Sequence, residues 1–299
     1  MGKIEAIFIF GVDVERIVQK LKDFNELVMF SHSVFSLPFI FIAMVVASGG
    51  WFGWKLLFLG VLAALSARNF AMGVNRYADR DIDAKNPRTA NRPNVDGRLS
   101  TTTMLGFIVL NGVAFIVIAY YINYLAFVLA APILAILGAY SYFKRFSAFA
   151  HLILGLSLGL APIAGVVAVL GEITPWSVLL SLGVMFWVGG FDLLYSLQDM
   201  EFDKAEGLYS IPSRYGEEAT LFISALFHML SVVFWFLFVW VAHLGIWAYL
   251  AVVLSGVMLG YEHYLVRKDF TKIDRAFFTV NGYLGIVFFV LIVCDRVLA

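Results

Sequence analysis

The sequence predicts an all-α integral membrane protein, with nine transmembrane helices around a central cavity arranged as two four-helix repeats plus one. Three observations lead there. Of the 299 residues, 62% are hydrophobic and only 14% charged, whereas a soluble domain carries about 25% charged residues. Apolar runs of about 20 residues, long enough for a helix to cross a ~30 Å hydrocarbon core, recur nine times. The charges that do occur gather in alternate loops, and two acidic motifs among them stand at a constant offset.

Taken in order, residues 1–26 are charged throughout, so no cleavable leader is expected. Within them Val14, Ile17, Val18, Leu21 and Phe24 follow helical spacing with Arg16, Lys20 and Lys22 interleaved. That pattern predicts a short helix lying on the membrane surface. Spans follow near 27–47, 54–74, 102–121, 124–142, 150–170, 176–196, 219–241, 246–264 and 276–294, all in one domain covering 1–299. Only a short polar break at Asn123 divides the third from the fourth. Tight turns join the spans on one side: Ser48 to Gly53, Ile122 to Asn123, Gly171 to Pro175, and Ala242 to Gly245. The loops after spans 2 and 6, on the other side, are long and rich in both signs of charge.

Of the 21 Lys and Arg, all but Lys55, Arg68 and Arg296 fall on the side of the N-terminus and the long loops. The positive-inside bias therefore predicts a multi-pass protein of the inner (cytoplasmic) membrane, with its N-terminus and active-site loops cytoplasmic. Trp51, Trp54, Trp176 and Trp247 lie near the outer ends of spans, where aromatic belts form. Pro38, Pro132 and Pro162 sit within spans, where proline kinks a helix and can shape a cavity. A net charge of zero provides no general basic field for nucleic acid, so no such partner is expected. The single Cys294 excludes a disulfide framework and a cysteine-based metal cluster.

The chemistry concentrates in two acidic clusters. The first reads Asn75-Arg-Tyr-Ala-Asp79-Arg-Asp81-Ile-Asp83, and its spacing of four stacks Asn75, Asp79 and Asp83 on one helix face. The second, Asp192-Leu-Leu-Tyr195-Ser-Leu-Gln198-Asp199-Met-Glu-Phe-Asp203-Lys204, repeats that spacing at Asp199 and Asp203. Asp79 to Asp199 and Asp83 to Asp203 are each 120 residues apart, which is the ground for expecting a repeat. Grouped carboxylates disfavour one another's ionisation unless cations lie among them. Oxygen donors without nearby His or Cys point to a hard cation, Mg²⁺ or Mn²⁺, and two clusters suggest two metal positions bridging one diphosphate. Arg68, Lys85, Arg88, Arg92, Lys144, Arg145, Lys204 and Arg214 accompany the clusters and are candidate contacts for diphosphate oxygens. Topology alone accounts for Arg98, Arg267, Lys268 and Lys272. Arg68 and Asp192 lie deeper, where an unpaired charge costs about 2.5–3.5 kcal/mol, so each is expected to be functional or paired.

These residues resemble the UbiA superfamily of intramembrane prenyltransferases over nearly the whole chain. Arg68 to Pro93, with Asn75, Asp79 and Asp83 followed by Pro87-Arg88-Thr89 and Asn91-Arg92-Pro93, is similar to that family's first signature. Asp192, Tyr195, Asp199 and Asp203-Lys204 resemble its second, Tyr140 to Phe146 the end of its span 4, and Tyr261-Glu-His263 with Asn281-Gly282 its last two helices. The resemblance implies Mg²⁺-dependent transfer of a polyprenyl chain from polyprenyl diphosphate to an aromatic acceptor in quinone synthesis. Asn75, Asp79, Asp83, Asp199 and Asp203 would hold the metal, and Tyr140 would shelter the allylic cation. Asp192 would act as base or orient the acceptor, and the prenyl tail would leave between helices into lipid. Within the superfamily the chain is most similar to 4-hydroxybenzoate polyprenyltransferases. It lacks the Lys that ubiquinone-pathway members carry shortly after the second motif, having Gly207-Leu-Tyr209-Ser-Ile-Pro212 instead. That loop resembles the branch of futalosine-route menaquinone synthesis, whose acceptor is aminodeoxyfutalosine.

His32, His151 and His263 are further candidates for acceptor contact, while packing is expected of His228 and His243. The rival from another class is an intramembrane cation or organic-ion transporter, which needs acids near the midplane and openings on both faces. A CDP-alcohol phosphotransferase would need its acids compact on one helix, whereas here they are split between two.

Overall fold

In a bilayer every backbone N–H and C=O must be satisfied within the protein, so apolar runs of this length fold as helices. The computed structural model describes residues 8–9, 12–28, 37–269, 273 and 276–298. After a minimal antiparallel pair, Phe8–Ile9 with Val12–Asp13, helix α1 (Val14–Val28) is the expected amphipathic segment. The long helices are α3 (Trp54–Ala78), α5 (Thr101–Ile122), α6 (Tyr124–Ala139), α7 (Ala150–Leu170), α8 (Pro175–Ser196), α10 (Ile211–Val241), α11 (Ile246–Lys268) and α12 (Asn281–Leu298). Short helices α4 (Arg80–Asp83) and α9 (Met200–Ala205) follow α3 and α8.

Among the described residues, eight helices are long and apolar enough to cross a membrane. The first expected span is represented by α2 (Leu37–Ser48), twelve residues long. Residues 29–36 of that span, with His32, and Lys272 lie outside the described residues.

Local sequence explains the boundaries. Asn123 is extended (φ −167°) and its side chain accepts from Ala126 N–H, capping α6. The same side chain donates to Val167 C=O at 2.6 Å, so one polar residue divides two spans and ties them to α7. Thr174 before Pro175, and Ser210 before Ile211-Pro212, each cap the helix that follows by exchanging hydrogen bonds with a serine three residues on. Helix α10 thus starts well before the expected 219. It is interrupted at Gly216, whose φ of 82° is left-handed and suits a residue without Cβ.

The core is organised on α8, which packs chiefly against α7 and α10. Without a hydrophobic drive between helices in lipid, close packing does this work, and small residues permit it. A Cβ built at Gly183 would lie 2.3 Å from the Trp235 indole, and one at Gly190 would lie 2.3 Å from the His228 ring. Beside these contacts Ser231 and Ser224 of α10 donate to the carbonyls of Gly183 and Gly190 at 2.8 and 2.7 Å. Phe39, Trp187, Trp235 and Phe288 complete the packing, fully buried, with Phe39 and Trp235 centroids 5.5 Å apart.

Candidate active site

The two acidic motifs occupy matching helix breaks. Helix α3 ends at Asp79 (φ −95°, ψ 2°) before the short α4. Helix α8 passes through a 3₁₀ turn, Leu197–Asp199, to Asp199 (φ −101°, ψ 3°) before α9. The sequence reading put each motif on one continuous helix face. The chain instead bends at the central Asp of each, in nearly the same conformation.

Both bends face a cavity of about 650 Å³ between the helices. Asn75, Asp79, Asp83, Asp192, Asp199, Asp203, Tyr140, Arg68, Arg88, Arg92 and Lys144 all line it. Away from them the wall is apolar and built mostly of small or branched residues, among them Ala63, Ala67, Ile133 and Ala164, with Phe115 beside them.

At the polar end each acid of the first rank meets a base. Asp79 Oδ2 lies 2.7 Å from Lys144 Nζ and accepts from Asn75 Nδ2 at 3.0 Å. Burial of Asp79, only 3% exposed, raises its carboxyl above the ordinary 3.8 despite the ammonium beside it. Asp83 Oδ1 accepts from Arg92 Nη1 at 2.7 Å. Asp199 is gripped by Arg88 through both carboxylate oxygens and accepts from Asn86 Nδ2 at 3.0 Å. Arg88 also donates to Tyr195 Oη at 3.1 Å. The two motif loops are thereby joined across the cavity mouth, and Lys85 to Glu206, at 2.5 Å, adds a second tie outside it. Lys144 C=O accepts from Tyr209 N–H at 2.7 Å, linking the turn after α6 to the same place.

Four predicted contacts are not on the cavity wall. Lys85 turns outward to Glu206, and Arg145 to Asp81 at 2.6 Å on the outer face of the first bend. Lys204 is exposed, and the exposed Arg214 stacks 3.8 Å from the Tyr209 ring centroid. The spacing of basic residues cannot distinguish these from Arg88 or Lys144, because the loops decide which way each points.

The structure adds others. Arg76, almost fully buried, lines the cavity and donates to Leu27 C=O at 3.2 Å, and Arg68 donates to Val28 C=O at 3.2 Å. These deep arginines anchor the end of α1. Asn86 reaches Asp199 across the mouth. Arg98, assigned to topology, bonds Glu26 at 2.7 Å and Asp96 at 2.7 Å. His151 lines the cavity and its Nδ1 lies 2.7 Å from Asp192 Oδ2, so a histidine does stand among the acids. His263, a candidate acceptor contact, bonds His228 at 2.9 Å among α10 and α11 and is not on the cavity wall.

The donor set fits a hard divalent ion. Asp79 Oδ1 is buried with no hydrogen-bond partner, an acceptor that a cation would satisfy. Among the described residues no three His, Cys, Asp or Glu side chains form a ready-made metal cluster. Mg²⁺ takes one or two carboxylates and completes its shell with water and substrate phosphate.

A polytopic helical fold enclosing a cavity with paired acidic bends at one end and an apolar wall beyond defines the class: a membrane-embedded protein built to hold a ligand polar at one end and apolar along its length. More narrowly, the chain belongs to the UbiA prenyltransferase family, whose profile matches residues 36–292. It is 28% identical over 251 residues to 4-hydroxybenzoate octaprenyltransferase of Haemophilus ducreyi, covering 84% of this chain and 90% of that one. The structure of a UbiA homolog from Aeropyrum pernix K1 superposes with a TM-score of 0.81 at 30% identity, covering 88% of this chain and 98% of that one. A UbiA homolog from Archaeoglobus fulgidus, solved bound to GPP and Mg²⁺, shares the fold with a TM-score of 0.71 at 20% identity, over 90% of this chain and 99% of that one.

Proposed function

We propose that the chain transfers a polyprenyl group from its diphosphate to an aromatic acceptor in quinone biosynthesis, with Mg²⁺ as cofactor. The observation that carries this is the division of the cavity. Carboxylates faced by Lys144, Arg88 and Arg92 lie at one end, and a wall rich in Ala and Ile runs from there into the apolar spans. A diphosphate needs the first and a long hydrocarbon chain the second.

Asn75, Asp79 and Asp83 from one bend, and Asp199 and Asp203 from the other, would hold Mg²⁺. The bound metal neutralises charge on the departing diphosphate. Asp79, Asp83 and Asp199 are held by Lys144, Arg92 and Arg88. With metal and diphosphate bound, these carboxylates would serve the cation and Lys144, Arg92 and Arg88 the phosphate oxygens, which Arg can meet bidentately. Tyr140 and Tyr195 line the cavity beside these groups, and their π faces attract an allylic cation. The apolar wall keeps water from quenching that cation before the acceptor ring attacks.

The Lys and Arg bias supports a cytoplasmic mouth in the inner membrane. For the acceptor, the names of the curated relatives favour 4-hydroxybenzoate. The 207–212 loop favours aminodeoxyfutalosine instead, because it lacks the Lys of ubiquinone-pathway members and resembles the futalosine-route branch.

Membranes containing the protein, farnesyl diphosphate, Mg²⁺ and either acceptor should form a prenylated product detectable by mass spectrometry. Chelation of the metal, Asp79→Ala and Asp199→Ala should each abolish it. Neither product nor diphosphate release from folded protein would reject prenyl transfer and revive the ion-transporter alternative.

A further inference from the structure

Asp192 differs in its partner from the three acids paired at the cavity mouth. Asp79, Asp83 and Asp199 face Lys or Arg, whereas Asp192 faces the imidazole of His151 at 2.7 Å. It also lies deeper, seven residues before Asp199 on α8, which is about 10 Å along a helix axis. The pair therefore stands beyond the diphosphate end, on the side where the acceptor ring must meet C1 of the prenyl chain.

The hydrogen bond also sets the tautomer. With the Asp192 carboxylate as acceptor, His151 Nδ1 is the donor, and in the neutral ring that leaves the lone pair on Nε2. His151 is only 6% exposed, lines the cavity, and its Nε2 is buried with no hydrogen-bond partner. Buried acceptors left unpaired are costly and uncommon. His151 is thus a cavity-lining imidazole whose second nitrogen has no protein partner.

We infer that His151 takes the ring proton of the aromatic acceptor, with Asp192 as the residue that positions its imidazole. The inference rests on the prenyl-transfer reading above. In the step, the C1–O bond to diphosphate breaks and its electron pair leaves with diphosphate. A ring carbon of the acceptor supplies the pair that forms the new bond to C1. The C–H pair on that carbon returns to the ring, and its proton passes to Nε2. The imidazolium so formed lies against the Asp192 carboxylate, and its proton later passes to water. The substrate class implied is an arene with a ring C–H activated by an electron-donating substituent.

The test compares wild type with His151→Gln, which keeps a donor for Asp192 but cannot take up a proton. Membranes receive farnesyl diphosphate, Mg²⁺ and whichever of 4-hydroxybenzoate and aminodeoxyfutalosine the wild type prenylates, with ring hydrogen or ring deuterium. The ratio of prenylated acceptor to released prenyl alcohol should fall about 100-fold in His151→Gln, the contribution typical of a general base. A deuterium isotope effect on product formation, absent from wild type, should appear because proton loss has become slow. A merely structural histidine would not produce that isotope effect. Asp192→Asn, which disturbs the tautomer and leaves the imidazole in place, should show the same isotope effect and serves if His151→Gln does not fold. An unchanged ratio with no isotope effect in a folded variant overturns this inference alone. Wild-type protein that prenylates neither acceptor overturns the transfer reading, and this inference with it.

Discussion

Replacing Asp79 by Asn isolates what the buried carboxylate is for. The amide has the same shape, so the packing around α3 and α4 is preserved and only the charge goes. Asp79 is 3% exposed, with one oxygen held by Lys144 and Asn75 and the other unpartnered. Its carboxyl is raised by burial. A group raised in the fold contributes stability that is complete below its unfolded value near 3.8 and is lost as pH rises through the native value. At neutral pH the ionised Asp79 therefore costs the fold free energy that Asn does not. Lys144, whose side chain is 31% exposed, can turn to water, and losing such a pair costs under about 1 kcal/mol. The melting temperature in detergent should stay level or rise. Activity should fall, because Asp79 would help hold the cation that stabilises the leaving diphosphate, and losing one such electrostatic contact costs about 3–4 kcal/mol, or roughly 10²–10³ in kcat/KM. Thermal unfolding and Mg²⁺-dependent product formation, measured on the same preparation, decide the matter. A variant that melts markedly lower would make Asp79 a structural residue, and one that keeps near-normal turnover would remove it from the site.

Further predictions concern the mouth, the core and a helix end. Arg88→Lys removes the forked grip on Asp199 and the bond to Tyr195. It should raise KM for the prenyl diphosphate by about 10-fold, since a single-point cation does not replace a bidentate one; steady-state kinetics in farnesyl diphosphate would show this. Gly190→Ala sets a Cβ 2.3 Å from the His228 ring, which is fixed by His263 and Trp187 C=O. Overpacking of this kind should cost about 1–3 kcal/mol or more, seen as early aggregation on heating in detergent. Asp295, 2% exposed, accepts from Gly245 N–H at 2.8 Å and Ala248 N–H at 3.3 Å and so caps α11 from α12. Asp295→Ala should destabilise by about 1–2 kcal/mol, with turnover per folded molecule unchanged, since the contact lies outside the cavity.

Spans, motifs and turns were legible in the sequence because they are local. Hydrocarbon thickness sets run length, and Asn123, Thr174 and Ser210 act on backbone groups within three residues. The acids could be found because topology has no need of them. The basic residues were harder: positive-inside topology and phosphate binding ask for the same side chains in the same loops. Arg88 and Lys144 could not be told from Lys85, Arg145, Lys204 and Arg214 until the loops fixed their directions.

By itself, then, the sequence determined a helical membrane fold with two acidic motifs at the ends of the second and sixth apolar runs, because burial, backbone satisfaction and charge are properties of short segments. What the tertiary structure decided is which groups meet. His151 and Asp192 are 41 residues apart and Arg88 and Asp199 are 111 apart, and no periodicity links such positions. Their pairing follows from the close approach of α7, α8 and α10 through small residues, and from the matched bends at Asp79 and Asp199 that turn both motifs toward one cavity.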